Sequence, residues 1–211
     1  MCPACFNALP WIDPKITCER CALEVSSPGV CGACQTNPKP YQSLRAWLHY
    51  TALSAHLLKQ FKYQRSMLHG RWWLEFLKIQ YWSLPQAFHA AHWITVPIHY
   101  RRYWVRGFNQ TDWLLRGLNR ALKNDAQPGI NILYPLEKIA HTVKQSTRSK
   151  QARQSNVGVD LWRWRKNISI PEHIVIFEDV VTTGSTLRAV TEVCLQAGVK
   201  RVDAVALMRV V

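Results

Sequence analysis

The sequence predicts an α/β protein: a parallel sheet flanked by helices, with a small cysteine-rich module ahead of it. Three observations carry this. From residue 44 to 211, apolar runs of strand length alternate with segments of helical period. One run, HIVIF at 173–177, has no polar alternation, so it is a central strand covered on both faces. Six of the seven cysteines fall in Cys-x-x-Cys pairs within residues 1–40, a segment with no helical period.

The elements follow in order. LRAWLHY at 44–50 reads as a strand. Residues 52–63 place Leu53, Leu57, Leu58 and Phe61 on one helical face, and a second helix fits 66–83. HWITVPI at 92–98 is a buried strand ended by Pro97. A helix follows over about 110–123, with Asn109 or Thr111 as N-cap. A short strand is expected at 130–136, and a polar, basic stretch at 138–158 reads as part loop, part helix. After the 173–177 strand, a helix covers 185–197 and stops at Gly198, a suitable C′ residue. Residues 200–208 supply the last strand, and Cys194 falls in the core face of the helix before it. QTNPKPYQ marks the linker between a module at 1–40 and a domain at 44–211.

Composition narrows the function classes. Hydrophobic residues make up 48 %, enough for a packed core and against global disorder. No stretch nears the length of uninterrupted apolar sequence that a spanning helix needs, and no signal peptide is visible, so the expected location is the cytoplasm. Lys and Arg total 27 against 13 Asp and Glu, a net +14. Such an excess concerns partners: nucleic acid first, an anionic membrane surface second, phosphorylated small molecules third, or a merely solvated basic surface. Ten Trp are present; indoles stack on bases, but most Trp belong to cores.

The densest chemistry lies at 174–186, IVIFEDVVTTGST. The strand ends in two carboxylates, Glu178 and Asp179, and a Thr182-Thr183-Gly184-Ser185-Thr186 run opens a helix. Ligands of open α/β sheets bind outside the carboxyl ends of strands. A helix start offers free N–H groups and positive dipole character to phosphate. Gly184 allows close backbone approach, and the hydroxyls add donors. The carboxylates could accept hydrogen bonds from a ribose diol or reach a hydrated Mg²⁺ on a pyrophosphate. A capped helix after a core strand shares the local pattern. The full string, however, resembles the 5-phosphoribosyl pyrophosphate (PRPP) motif of type I phosphoribosyltransferases. The resemblance implies phosphate contacts at Thr182, Thr183, Gly184, Ser185 and Thr186, and ribose contacts at the catalytic pair Glu178 and Asp179. This chain has Glu178 where the family usually has Asp.

A second block, VPIHYRRYWVRGFNQ at 96–110, joins a strand end to a basic cluster and a Gly turn. Arg101, Arg102 and Arg106 could clamp a second anion, or simply form a cationic loop. Arg106 opens an RGFNQ text that ends in Asn109 and Gln110; the VP at 96–97 followed by this text, together with the PRPP-type motif, resembles the ComF family of competence proteins. Residues 144–156, KQSTRSKQARQSN, fit a third family block through Gln145, Arg153 and Asn156, the flexible loop that closes over substrate in phosphoribosyltransferases.

The cysteine pairs are Cys2/Cys5, Cys18/Cys21 and Cys31/Cys34. Cys18, Cys21, Cys31 and Cys34 form a C-x2-C-x9-C-x2-C set, a zinc-ribbon spacing for one structural Zn²⁺. Alternatively, Cys2/Cys5 pair with Cys18/Cys21. The Cys2 to Trp11 text is similar to the second knuckle of the family's double zinc ribbon, whose first knuckle would lie upstream of Met1.

Three functions are therefore expected to compete. The resemblance implies a protein of natural transformation that handles single-stranded DNA at the inner face of the cytoplasmic membrane and binds a PRPP-like ribose phosphate. The basic clusters at 101–106, 144–153 and 163–166, with Trp162 and Trp164 interleaved in the last, suit single strands. The second function is an active phosphoribosyltransferase using Mg²⁺ with PRPP. The third is a scaffold whose zinc module docks a helicase or an inner-membrane DNA channel.

Overall fold

The computed structural model describes residues 3–64, 66–98, 104, 107–138 and 162–211. Its centre is a five-stranded, all-parallel sheet. The strands are β1 (Leu44–His49), β2 (His92–Thr95), β3 (Asn131–Leu133), β6 (His173–Val181) and β7 (Arg201–Arg209), in spatial order β1-β7-β6-β2-β3. Two short strands, β4 (Leu136–Lys138) and β5 (Trp162–Trp164), pair antiparallel beside it. The single strand expected at 130–136 is thus two. Pro135 sits at the break, where a residue with no N–H cannot continue a ladder.

Alternation along β6 splits the interior into two layers. Val175 and Phe177 face a core built with α3 (Ala52–Tyr63), α4 (Met67–Tyr81) and α6 (Gln110–Asn124). Ile174 and Ile176 face a core built with α7 (Ser185–Ala197), to which Leu187, Val190 and the fully buried Cys194 contribute. In α6, Leu114, Leu115, Leu118 and Leu122 form the buried stripe. Asn109 caps it, its side chain accepting from the Thr111 N–H. α7 stops at Gly198 (φ 109°), where the Val199 N–H returns to the Cys194 carbonyl. A five-residue helix, α5 (Gln86–Ala90), follows Pro85; it is too short to show a period in sequence.

α3, α4 and α6 meet at Gly70, where an added Cβ would stand 2.7 Å from the Phe61 ring and 3.2 Å from Trp113. Phe61 is fully buried and cannot yield freely. We expect Gly70→Ala to destabilise the fold. Overpacking costs about 1–3 kcal/mol, more than the roughly 1 kcal/mol that better helix propensity returns. Urea unfolding of the two proteins checks the sign.

The N-terminal segment is joined closely to this body. α1 (Pro3–Asn7) brings Phe6 against Trp11, and Trp11 stacks on Phe76 of α4 with centroids 5.7 Å apart. Trp11 bridges Leu48, the Ile12 N–H donates to the Trp47 carbonyl at 2.9 Å, and the His49 N–H donates to Pro10 at 2.8 Å. These contacts cover the outer edge of β1, a protection that exposed strand edges need. At the other end of the strands, Asp203 is fully buried and held by His173 (2.8 Å), Arg201 (2.7 Å) and the Ser43 hydroxyl (2.6 Å).

The crossovers place the site. From β2 the chain passes through α6 to β3 on one side, and from β6 through α7 to β7 on the other. The carboxyl ends of β2 and β6 therefore flank the topological switch point, the usual ligand crevice of such sheets.

Candidate functional site

Glu178 and Asp179 lie within β6 rather than after it, because the strand stays paired with β7 through Val181↔Arg209. The turn is correspondingly tight: Thr182, Thr183 and Gly184, then the first residue of α7. Gly184 is left-handed at φ 76° and stands at the N-cap. The Ser185 N–H reaches the Thr183 hydroxyl at 3.3 Å, so one free amide of the helix start is held by the loop itself. Thr182, Thr183, Ser185 and Thr186 are all exposed at the mouth of the crevice. The sheet thus brings two acids, four hydroxyls and a helix start to one edge.

The two acids differ in environment. Asp179 shares the register of Val175 and Phe177 and meets Lys62 of α3, with Oδ2 and Nζ 2.7 Å apart and both side chains about 15 % exposed. Sequence reading missed Lys62. It stands at the end of an ordinary amphipathic helix, and only the packing of α3 against the sheet brings it to the acid pair. Burial pushes the Glu178 carboxyl up to about 8, the charge of Asp179 adds to the rise, and Lys62 opposes it.

This has a measurable consequence for stability. The Glu178 carboxyl titrates higher in the fold (about 8) than its ordinary value of 4.5, so the native state holds an extra proton between those values. Stability therefore falls as pH rises through that window. We expect Glu178→Gln to gain on the wild type progressively across it, by a few kcal/mol at most, as read by urea unfolding at its two ends.

Asn109 and Gln110 serve backbone geometry. The Asn109 amide donates to the Val96 carbonyl at 3.1 Å while its oxygen caps α6, and Gln110 is buried with its amide on the Phe108 carbonyl at 3.2 Å. They fix the return of the loop to α6. Arg101, Arg102 and Arg106 lie outside the described residues, as do Gln145, Arg153 and Asn156. The stacking expectation at 162–164 needs correction. Trp162 is 8 % exposed and packs in the α7-side core, and the half-buried Trp164 donates its indole N–H to the Ile168 carbonyl at 3.2 Å. Their alternation with basic residues is that of an edge strand with an apolar inner face. Trp104, at 81 % exposure, presents a free indole face instead.

The second cluster is sulphur. The Sγ atoms of Cys18, Cys21, Cys31 and Cys34 all lie within 4.8 Å of one another. A tetrahedral zinc with Zn–S bonds near 2.3 Å requires S···S edges of about 3.8 Å, and Cys21 and Cys31 already stand 3.7 Å apart. The four thiols fit a structural zinc. Cys5 is exposed on α1 and is not one of these four. Burial raises the Cys21 and Cys34 thiols. At Cys18 burial is outweighed by backbone N–H groups, chiefly that of Cys31, and its thiol falls to about 7. A divalent cation would stabilise the remaining thiolates.

A doubly wound parallel α/β protein, with an acid-and-hydroxyl turn at its switch point and a four-cysteine cluster that could hold a metal, is the class these features define. The chain belongs to the ComF family. It is 30 % identical to the DNA utilization protein YhgH of Escherichia coli O157:H7, over 99 % of this chain and 90 % of that one. It is 26 % identical to competence protein F of Haemophilus influenzae, over 91 % and 84 %. It is 24 % identical to competence protein ComFC of Streptococcus pneumoniae, over 99 % and 87 %. No family model matches the chain. Among the described residues, no helix is long and apolar enough to cross a membrane.

Proposed function

We propose that the protein serves DNA uptake, its relatives being named for DNA utilization and for competence, and that it binds a PRPP-like ribose 5-phosphate at the end of β6. The observation that carries the reading is the convergence, at the switch point, of Glu178 and Asp179 with the Thr182–Thr186 turn. In this reading the phosphate takes the free N–H groups of the α7 start and the hydroxyls of Thr182, Thr183, Ser185 and Thr186. The ribose diol donates to the carboxyl groups of Glu178 and Asp179, the latter held by Lys62. Glu178 and Asp179 would be the residues to face a Mg²⁺ carried with a pyrophosphate, which would supply charge stabilisation there. By the family motif, Arg101, Arg102 and Arg106 are assigned to the pyrophosphate side, and Gln145, Arg153 and Asn156 to the loop that closes over substrate.

Single-stranded DNA is the macromolecular ligand that fits best. The +14 net charge and the exposed Trp104 favour backbone neutralisation with stacking. Docking to a helicase or to an inner-membrane DNA channel follows from the same role. Turnover would be displacement of pyrophosphate from the ribose C1 by a nitrogen nucleophile, with positioning and charge stabilisation as its main source of rate.

Calorimetry with ribose 5-phosphate, and with PRPP with and without Mg²⁺, tests the site; no heat from any of the three would sink it. Exchange of labelled pyrophosphate into PRPP reports turnover. Binding of single-stranded DNA should lose about 0.7 in log K per log salt for each phosphate neutralised, and no binding at low salt would remove DNA from the proposal.

A further inference from the structure

Arg209 closes β7 with a guanidinium that is almost fully buried. Among the described residues, each hydrogen bond it makes goes to a main-chain carbonyl. Nε donates to Cys21 at 2.8 Å, and Nη1 donates to Val181 at 3.0 Å, to Val210 at 2.6 Å and to Thr182. Cys21 is a member of the sulphur cluster, and Thr182 is the first residue of the phosphate turn. One side chain therefore grips both.

Three further contacts bind the same two parts. The Tyr41 hydroxyl lies 3.4 Å from where a Cβ on Gly184 would stand, and Tyr41 is 1 % exposed. Arg188, in the first turn of α7, donates to the Asn37 side chain at 3.2 Å and to the Pro38 carbonyl at 3.4 Å. Asn37 is the C-cap of α2 (Gly32–Thr36), the short helix that carries Cys34. Ala22, next to Cys21, is itself packed in the α7-side core at a positive φ of 53°. The cysteine module is thus built into the floor and one wall of the turn.

We propose that Arg209 is a positioning residue that couples the cysteine module to the phosphate turn. Metal held by Cys18, Cys21, Cys31 and Cys34 then tightens binding at Thr182–Thr186, and a ligand there in turn strengthens the hold on the metal. The ligand half of this statement rests on the ribose-phosphate reading above. The mechanism is geometric. Metal fixes the direction of the Cys21 carbonyl; that carbonyl fixes one arm of the guanidinium fork, and the other arm fixes the Val181 and Thr182 carbonyls. Without metal the knuckle relaxes, and the fork loses its fixed end. Coupling between two binding sites is reciprocal, so both affinities change by one factor.

Amide hydrogen exchange on the full chain tests the clamp without any ligand. Zinc-loaded wild type should protect residues 182–187 about tenfold more than the chelator-stripped protein, while 174–177 stays protected in both. Zinc-loaded Arg209→Gln should exchange at 182–187 like the stripped wild type. Equal exchange with and without zinc in the wild type overturns the proposal, as does an Arg209→Gln turn that still responds to zinc. Should Arg209→Gln lose protection at 174–177, Arg209→Lys replaces it with the same two readings, since a single ammonium cannot bridge both sides. Calorimetry with ribose 5-phosphate, and zinc transfer to a chromogenic chelator with and without it, should then give the same factor. Zinc-dependent exchange without any ribose 5-phosphate binding sinks the ligand reading and keeps the clamp. Equal binding by loaded and stripped protein sinks the coupling and keeps the ligand reading.

Discussion

Cys21→Ser should purify with little or no zinc and melt well below the wild type, whereas Cys5→Ser should keep about one zinc per chain. Cys18, Cys21 and Cys34 are each under 5 % exposed, and among the described residues the local apolar group packed on the sulphur cluster is the partly buried Leu23, Val25 and Val30. So small an apolar group is little to hold the cysteine loops locally, even with the segment docked on the domain through Trp11 and Ala22. A metal there would add to it, and structural zinc contributes on the order of 10–16 kcal/mol in small modules. A serine hydroxyl is a poor substitute for a thiolate and leaves three ligands. Metal analysis and calorimetric melting read both outcomes. Loss of zinc on Cys5→Ser would instead favour a site shared between the Cys2/Cys5 and Cys18/Cys21 pairs.

Gly184→Val should abolish binding of ribose 5-phosphate, a loss of at least about a hundredfold, with a smaller cost to folding. The residue is left-handed at φ 76°, a region that a β-branched side chain avoids at a cost of about 1–3 kcal/mol. The new side chain would also press toward the Tyr41 hydroxyl, 3.4 Å from its Cβ. Relief comes by turning the peptide, which re-aims the N–H groups at the start of α7. The helix itself is anchored by Leu187, Val190 and Cys194, all at most 1 % exposed, and should survive. Calorimetry measures the first effect and thermal melting the second. Unchanged affinity would remove the turn from the ligand site.

Local pattern made most of the architecture legible. The helices at 52–63 and 185–197 follow period and caps to the residue, and the apolar run at 173–177 announces a central strand. The breaks are physical. Pro135 divides a run that hydropathy alone joins. β6 extends past its apolar run because β7 keeps pairing with it beyond Phe177, and pairing is a property of the partner. Asp179 could be read as a site residue from its neighbours in the chain, but its counterion Lys62 could not, because the two are joined by tertiary packing alone. Trp162 shows the converse: a basic flank suggested an open face, and the burial of one side of a short strand decided otherwise.

The Asp203 network stands at the opposite end of the sheet from the turn. From His173 to Val181, β6 rises through nine residues, or about 26 Å at 3.3 Å for each step. The foot of the sheet is locked by a cluster around the fully buried Asp203, and its mouth carries the exposed hydroxyls of the turn. Mutations at the two ends share no partner, so their free energies should add. Drift at the mouth can therefore change what is bound without spending the stability stored at the foot. Asp203→Asn combined with Gly184→Val should unfold at the sum of the two single shifts.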